Sequence, residues 1–489
     1  MTSYLGDAWL VRLVFLRGLS ALYLIAFISA LNQFPALLGE RGLLPVPDFL
    51  RGLRFRDAPS FFHWRYSDRL LRGVAWTGIA LAALTLLGIT ERAPLVVTIA
   101  VWLVLWALYL SIVNVGQTFY GFGWESMLVE AGFFAAFLGP RTLAPPVLVI
   151  AILRWMLFRV ELGAGLIKLR HDECWRNLTC LFYHYETQPL PNALSWFFHR
   201  LPKPVHRFSV FYSHLVQVLA PFGLFAPQPY ASIAAALLVS QQLLLSISGN
   251  YAWLNWLTVV LGVAGFSDAF LAPLVPTAIP QRLAHVPLFD YAVYALAAVT
   301  LALSVQPALN FFSRNQLMNY SWNRLHLVNA YGAFGSITKE RYEVVIEGTD
   351  DAIVSQSTEW KEYGFRAKPG DPRRRPPQVA PYHLRLDWLM WFLPFSVIVA
   401  GNRVLVRGFD VWFIRFVQRL LEGDRATLGL IRDNPFVDRP PRLIRAGYYF
   451  YRYTTPAEKR ASGAWWTRTR VGEYLPPLSL ADIEASFRR

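Results

Sequence analysis

The chain of 489 residues is 55% hydrophobic and only 16% charged, and its formal net charge is +15. A soluble globular protein carries about 25% charged residues, so this composition argues against an ordinary water-soluble chain. The charges are sparse up to residue 310 and dense afterwards, which indicates two parts facing two different solvents. In lipid a backbone satisfies its polar groups only as helices or as a closed barrel. The apolar runs are too long and too evenly apolar for barrel strands, which alternate.

Nine apolar segments are candidates for membrane-spanning helices, each of which needs about 20 mostly apolar residues. They are residues 13–31, 73–90, 95–115, 124–138, 146–169, 208–225, 230–248, 252–266 and 291–309. The fourth and eighth are short enough to be re-entrant or tilted, so we expect an α-helical polytopic bundle of about eight or nine spans within residues 1–315. The first segment is predicted to be a retained span and not a cleaved signal peptide, because it is long and Arg12 and Arg17 lie at its start.

Residues 316–489 are predicted to form a water-facing α+β domain. Alternating or aromatic residues predict strands at 341–348 and 442–454, and residues 360–368 could pair with the first of them. Apolar residues at helical spacing predict a helix at 410–421. Residues 369–381 read as a rigid basic loop, and the tail from Gly472 as loop-rich. Residues 388–406 are apolar enough for a tenth span, but Pro394, Gly401, Asn402 and Arg403 favour a buried or surface-lying element.

The positive charge has a simple interpretation. Nearly all of the excess is arginine, which flanks the apolar segments and fills the C-terminal part. Arginine in these places is typical of contact with lipid headgroups, and no nucleic-acid-binding module is recognisable. We therefore expect a lipid bilayer as a partner and no nucleic acid.

The two cysteines of the chain, Cys174 and Cys180, lie in one predicted loop. They could be small apolar residues that lie close by coincidence, or a disulfide or redox pair if the loop faces an oxidising compartment. A metal site with His171 and His184 is a third reading, but it has no recognisable ligand spacing. No metal and no cofactor is predicted.

Lys168 is the most informative residue, since it is the only lysine before Lys203. Glu161 and Arg154 precede it by seven and fourteen residues, which places all three on one helical face. Ionisable residues at membrane depth usually face a bundle interior or an aqueous cavity. Glu125 and Glu130 are candidate counter-charges. The alternatives are a structural ion-pair network or a snorkelling lysine, and a polar cavity in which Lys168 acts as a base.

Several long blocks resemble the lipase maturation factor family, and together they cover the chain from about Gly39 to its end. The blocks are residues 117–140 (QTFYGFGWESMLVEAGFFAAFLGP), 159–196 (RVELGAGLIKLRHDECWRNLTCLFYHYETQPLPNALSW), 329–349 (NAYGAFGSITKERYEVVIEGT), 369–388 (PGDPRRRPPQVAPYHLRLDW), 420–436 (LLEGDRATLGLIRDNPF) and 472–480 (GEYLPPLSL). The resemblance implies a membrane-embedded factor that assists the folding and assembly of secreted lipases, with a C-terminal domain that contacts the client. It favours a folding factor over an enzyme.

A shorter run, AGLIKLRHDECW at 164–175, is similar to a signature of the vitamin K-dependent γ-glutamyl carboxylase, in which a lysine at this point is the catalytic base. Lys168 takes that place here, but the other carboxylase motifs are absent from the sequence, which favours shared ancestry of the bundle over shared activity. The alternative to a folding factor is a membrane enzyme, carboxylase-like or thiol-redox, acting around Lys168 and Cys174/Cys180. A transporter is a third hypothesis, and the lack of paired broken helices in two matching halves counts against it.

Five aromatic residues of the C-terminal part are candidates for exposed anchors that contact a lipase or another exported hydrolase: Tyr331, Phe334, Trp360, Tyr363 and Trp388. With nine spans, the loop 39–72, the cysteine loop and the C-terminal domain share one side. The seven arginines of that loop favour the cytoplasm, whereas the resemblance implies the lumen or periplasm, and we follow the resemblance. The arginine-rich, lysine-poor composition and the lack of terminal extensions favour a bacterial member in the plasma membrane; a eukaryotic member would lie in the endoplasmic reticulum, where the sequons at Asn177 and Asn319 would matter.

Overall fold

The N-terminal part of the protein is a bundle of helices. The structure is a computed structural model that describes residues 7–400 and 403–487. The helices of the bundle are α1 (Trp9–Leu38), α2 (Val46–Leu50), α3 (Asp68–Leu86), α4 (Leu95–Asn114), α5 (Gly123–Ala135), α6 (Val147–Arg170), α7 (Glu173–Arg176), α8 (Leu181–Thr187), α9 (Ser195–His199), α10 (Lys203–His214), α11 (Ala220–Gly223), α12 (Tyr230–Ser248), α13 (Leu254–Gly262), α14 (Asp268–Leu271) and α15 (Pro287–Phe312). A π-helical turn, Leu215–Leu219, joins α10 to α11.

Five helices among the described residues, α1, α3, α4, α12 and α15, are long and apolar enough to cross a membrane. All nine segments predicted as spans are helical, which confirms a helical N-terminal region. The predicted segment 208–225 is broken into α10, the π turn and α11, which has Pro221 in its first turn. Helix α6 carries five charged residues, so composition alone does not mark it as a span.

The helix ends meet at two opposite ends of the bundle. At the end that holds Trp9, the Asp268 carboxylate accepts the backbone N–H groups of Trp9 and Leu10 at 2.8 Å each, and the Arg141 backbone N–H donates to the Glu91 carbonyl at 2.9 Å. At the other end, which we call the domain end, the C-terminal domain packs. There the Gln117 side chain donates to the Leu44 carbonyl at 2.9 Å.

The C-terminal domain combines a four-stranded antiparallel sheet, a small hairpin and short helices, so the predicted α+β class is confirmed. The strands are β1 (Arg341–Thr349), β2 (Lys361–Glu362), β3 (Val397–Ala400), β4 (Arg403–Val406), β5 (Leu443–Tyr453) and β6 (Trp466–Leu478). The sheet order is β2-β1-β5-β6, and β3 pairs with β4 separately. The helices are α16 (Arg385–Met390), α17 (Val411–Leu421), α18 (Arg425–Leu428), α19 (Pro456–Ser462) and α20 (Leu480–Phe487).

Two predictions for the domain need correction. The tail from Gly472 is not loop-rich, because it forms the end of β6 and then α20. Strand β6 lies at the sheet edge, where Pro476 and Pro477 are tolerated since the ladder needs fewer N–H donors there. The partner of β1 predicted over 360–368 shrinks to the two residues of β2.

Residues 388–406 agree with the buried or surface-lying element that the sequence favours over a tenth span. They comprise the end of α16, a 3-10 helix at Leu393–Ser396 and the β3–β4 hairpin, and Gly401 and Asn402 lie outside the described residues.

The bundle and the domain share one hydrophobic core. A single cluster of buried side chains runs from α1 through α6 into α16, α17 and the sheet. The Trp124 and Trp388 rings meet edge to face with centroids 5.0 Å apart, and those of Phe119 and Trp412 lie 6.0 Å apart. Aromatic pairs of this kind stabilise beyond their buried area, so the domain is fixed to the bundle and is not loosely tethered.

Candidate functional site

A cavity of about 340 Å³ lies in the domain-end half of the bundle, and Lys168 and Glu161 of α6 line it. The Lys168 ammonium donates to the Gln217 side-chain oxygen at 2.5 Å and lies 5.0 Å from the centroid of the Trp175 ring. Lys168 is only 5% exposed. Because an ammonium has three N–H donors, one acceptor leaves it capable of two further hydrogen bonds.

Two glutamines hold Glu161. Gln217 donates to one carboxylate oxygen at 3.0 Å and Gln242 to the other at 2.7 Å. Gln217 therefore bridges Lys168 and Glu161, because its oxygen accepts from the lysine while its nitrogen donates to the glutamate. A buried charge is tolerated when it is paired and hydrogen-bonded, and the bridge gives the two charges that environment without direct contact between them.

Arg154 lies apart from this cluster, although the seven-residue spacing places it on the same helical face. Its guanidinium donates to the carbonyls of Leu224 and Ala264 at 3.1 and 2.7 Å, which are at the ends of helical segments. Cations are stabilised there by the helix dipole. Arg154 thus fastens α11 and α13 to α6 and does not line the cavity.

Glu130 pairs with Arg159, and not with Arg154 or Lys168 of the face that the sequence suggested. Its carboxylate forms a fully buried ion pair with Arg159 and accepts the Tyr331 hydroxyl at 2.7 Å and the Asn329 side chain at 2.7 Å. Arg159 also donates to the Asn329 carbonyl at 2.6 Å. The cluster ties α5 and α6 to the segment that leads into the C-terminal domain.

Glu125 is the second carboxylate that the sequence offered as a partner for the Lys168 face, and it too binds elsewhere. It forms a fully buried ion pair with Arg385 at 2.8 Å, and the Tyr109 hydroxyl donates to it. His383 lies 3.7 Å from the same carboxylate. Burial, reinforced by the charge of Arg385, lowers the pKa of His383 to about 4 even though Glu125 opposes the shift.

Cys174 and Cys180 are joined by a disulfide and both are buried. His171 is exposed, and His184 is buried with its Nε2 atom 2.8 Å from the Tyr251 hydroxyl. Burial and the nearby Lys168 charge lower the pKa of His184 to about 3. Across residues 7–400 and 403–487 there is no group of three or more potential metal ligands.

The five aromatic candidates for client contact lie in different environments. Their predicted exposure is wrong for Tyr331, Tyr363 and Trp388, which are buried, since each packs against other aromatic or charged groups of the core. Phe334 and Trp360 are half-buried, and Trp360 lies under the Arg445 guanidinium, 4.0 Å from it. Contact of these residues with a client stays a prediction.

Sequence reasoning missed the glutamines of the cavity and the arginines of the ion pairs. Gln217 and Gln242 are polar residues inside apolar segments, and a search for ionisable residues alone overlooks them. Arg159 is likewise a polar residue inside an apolar segment. Arg385 is 260 residues from Glu125 in the chain, so no local pattern could have paired them.

Two family profiles match the chain. Residues 10–273 match one described as lipase maturation factor transmembrane domain, and residues 327–476 match one described as lipase maturation factor C-terminal domain. No solved structure matches the chain.

Curated relatives match over nearly the whole length. Human lipase maturation factor 1 is 41% identical, and the alignment covers 99% of this chain and 90% of the relative. Human lipase maturation factor 2 is 30% identical, with 97% and 83% covered. Lipase maturation factor 2 of Xenopus laevis is 29% identical, with 98% and 84% covered.

Proposed function

Because the chain belongs to the lipase maturation factor family, we propose that it is a membrane-bound factor that assists the folding or assembly of secreted lipases or similar exported hydrolases. The observation that carries the proposal is the 41% identity to a lipase maturation factor over 99% of the chain. The relatives are named for maturation and not for a reaction, so the carboxylase-like and thiol-redox alternatives gain no support from them. The division into a bundle, 1–315, and a C-terminal domain, 316–489, is part of this proposal.

An exposed apolar surface on the C-terminal domain supports client binding there. We call it the hairpin surface, and its members are 40–53% exposed: Phe395, Ile398, Val399, Leu405, Phe409 and Val411. Ile398 and Leu405 are paired across β3 and β4 and so share one face. Several exposed apolar side chains on one small element are typical of an interaction site, and an incompletely folded lipase presents complementary apolar surface.

The test is rescue of lipase secretion in cells that lack their own lipase maturation factor. Expression of the full chain should restore the specific activity of a secreted lipase, and I398E/L405E should lower it at equal protein level because two buried charges oppose docking. The matched control is I353E/V437E, at exposed positions of the same domain. Failure of the wild-type chain to restore activity refutes the maturation role, whereas equal rescue by both double variants refutes only the hairpin surface.

Nine crossings of the bilayer are part of the same proposal. Support comes from the contacts of helix ends, which alternate between the two ends of the bundle. The crossing elements are α1, α3, α4, α5, α6, the α10–α11 unit, α12, α13 and α15. Short α5 and α13 are flanked by buried protein, and irregular or short elements are tolerated at membrane depth in such surroundings.

This path places the cysteine loop and the C-terminal domain on one side, which we assign to the lumen or periplasm. The Arg341 guanidinium donates to the Gln188 and Pro189 carbonyls at 2.5 and 3.1 Å, in keeping with a common side. Asn177 and Asn319 are exposed and belong to sequons, so both should be glycosylated when the chain is made in the endoplasmic reticulum of a eukaryotic host. A variant with a third sequon added at the C-terminus is the control. If Asn177, Asn319 and the added sequon all stay unmodified, the assigned orientation is wrong.

A further inference from the structure

The cavity beside Lys168 contains one buried donor without an acceptor and a second donor that can form further hydrogen bonds. Asn255 is buried, and its Nδ2 atom has no partner within the described protein. The Lys168 ammonium donates to Gln217 and, with three N–H groups, can donate two more hydrogen bonds. Both residues line the cavity. Since leaving a buried donor unsatisfied is unfavourable, these two groups in one cavity indicate a bound group that carries hydrogen-bond acceptors.

The remaining wall of the cavity is mainly apolar, with Met127, Val160, Leu181, Phe208, Leu245 and Leu254 among its members. Its volume of about 340 Å³ is at the lower end of the range for small-molecule pockets, roughly 300–1,000 Å³. That space suits one hydrocarbon chain with a small head and excludes a whole two-chain phospholipid.

The mouth of the cavity faces the lipid-exposed side of the bundle. Leu201, Phe208 and Leu244 line the cavity and are 38, 66 and 47% exposed. Leu201 and Phe208 belong to the segment around α10, and Leu244 belongs to α12. Phe211 of α10 and Ile247 of α12 are also exposed. In a membrane protein, exposed apolar side chains of spanning helices contact hydrocarbon, so a lipid chain can enter sideways without crossing water.

We propose that this cavity binds a single-chain lipid, whose acyl chain fills the apolar part and whose carbonyl or carboxylate oxygen accepts hydrogen bonds from Lys168 and Asn255. The charges of Lys168 and Glu161 balance, and His184 is uncharged at neutral pH. The site therefore accepts the ester carbonyl of a monoacylglycerol without a net-charge penalty. A fatty-acid carboxylate shares the same acceptor chemistry. This role goes beyond client maturation and does not depend on it.

The test uses the full-length protein in detergent micelles and a palmitate analogue that carries a photoreactive diazirine in its chain. Cross-linked peptides are identified by mass spectrometry. Labelling should be saturable and confined to peptides with residues of the cavity wall. Displacement of the probe by palmitate indicates that the site binds a fatty-acid carboxylate. Displacement by monopalmitoylglycerol indicates that it binds a neutral ester. Hexadecane, which has no head, should not displace it.

Two matched pairs of variants locate the site. K168M removes the donor and should weaken probe binding about tenfold, the effect of one hydrogen bond to a charged group, whereas K203M at an exposed lysine should not. L244W fills the cavity and should abolish labelling, whereas L243W, at an exposed neighbour outside the cavity, should not.

Three results overturn the proposal: equal displacement by hexadecane, no displacement by either palmitate or monopalmitoylglycerol, or wild-type labelling of both K168M and L244W. If L244W aggregates on gel filtration, K168M compared with K203M decides. Lipase rescue by K168M is a separate readout, so failure of the lipid site is distinguishable from failure of the maturation role.

Discussion

Glu125 and Arg385 form a buried ion pair that joins the bundle to the C-terminal domain. Placing two charges in an apolar interior costs several kcal/mol for each ion, and mutual attraction with added hydrogen bonds offsets that cost. The Arg385 guanidinium also donates to the Phe119 carbonyl and stacks 3.4 Å from the Tyr120 ring centroid. The pair specifies how the two parts fit, because either charge alone is strongly unfavourable there.

Arg385→Met should therefore lower stability by about 3–5 kcal/mol, since it leaves the Glu125 carboxylate buried without its partner. The control is Arg439→Met, whose Asp350 partner is on the surface and contributes about 1 kcal/mol or less. Thermal unfolding midpoints in detergent measure both. Equal midpoints for the two variants would show that the buried pair has no special role.

His383 should make the folded protein sensitive to acid. Its pKa is about 4 when folded and about 6.5 when unfolded, so between these values the unfolded chain binds a proton that the folded protein does not. Protonation then favours unfolding, and stability falls as pH decreases from 6.5 to 4. His383→Gln should lose less stability than wild type between pH 7 and pH 5 in thermal unfolding, and His171→Gln, at an exposed position, is the matched control. The opposite order would contradict the assigned shift.

At the scale of elements, α6 and the segment after Asn329 approach so closely that only glycine fits at position 163. A Cβ atom at Gly163 would lie 2.2 Å from the Tyr331 carbonyl oxygen, which is backbone and cannot turn away. The same carbonyl belongs to the residue whose hydroxyl binds Glu130. Helix position and ion-pair geometry therefore depend on one another here.

Gly163→Ala should lower the unfolding midpoint, because the helix and the segment must separate to admit the methyl group. Gly73→Ala is the matched control: it lies inside α3 with no atom within 4 Å of its added Cβ, and alanine there should be neutral or stabilise by up to about 1 kcal/mol. Thermal unfolding of the two variants side by side is the measurement. A Gly163→Ala protein as stable as Gly73→Ala would refute the close approach.

The elements were predictable where one local pattern dominates. The strand predicted at 341–348 is confirmed as β1. The helix predicted at 410–421 is confirmed as α17, whose buried face includes Phe413, Phe416 and Leu420. Elements that depend on a distant partner were not predictable. Strand β6 contains two prolines and is stabilised by backbone pairing with β5. In the site, Lys168 and Glu161 are recognisable as charges in an apolar run. Gln217 stands out in the same way as a polar residue, but its place between the two charges depends on a π turn that no propensity predicts.

At the scale of the whole molecule, the chain is more tightly integrated than a bundle with an appended domain. Trp196 donates to the Thr454 carbonyl at 2.9 Å and Asn250 to the Pro377 carbonyl at 2.9 Å, in addition to the ion pairs already described. These contacts join α9 and the loop after α12 to distant parts of the domain. Cutting the chain at one exposed point should therefore leave the pieces together.

A protease site introduced at residues 353–356, which are exposed between β1 and β2, tests this integration. After cleavage the two fragments should co-elute on gel filtration in detergent, because β1 keeps its nine-residue pairing with β5 and Glu125 keeps Arg385. The uncut protein with the same inserted site is the control. Separation of the fragments without denaturant would show that the covalent link, and not packing, holds the domain in place.

The π-helical turn at Leu215–Leu219 sets the position of Gln217 in the polar cluster. Such a turn is equivalent to one surplus residue in an α-helix, and deleting that residue would rotate one side of the helix against the other by about 100°. Gln217 would then leave its place between Lys168 and Glu161, so the lysine would lose its acceptor and Gln242 alone would hold the glutamate. The surplus residue of the π turn is therefore what brings the two buried charges under one amide.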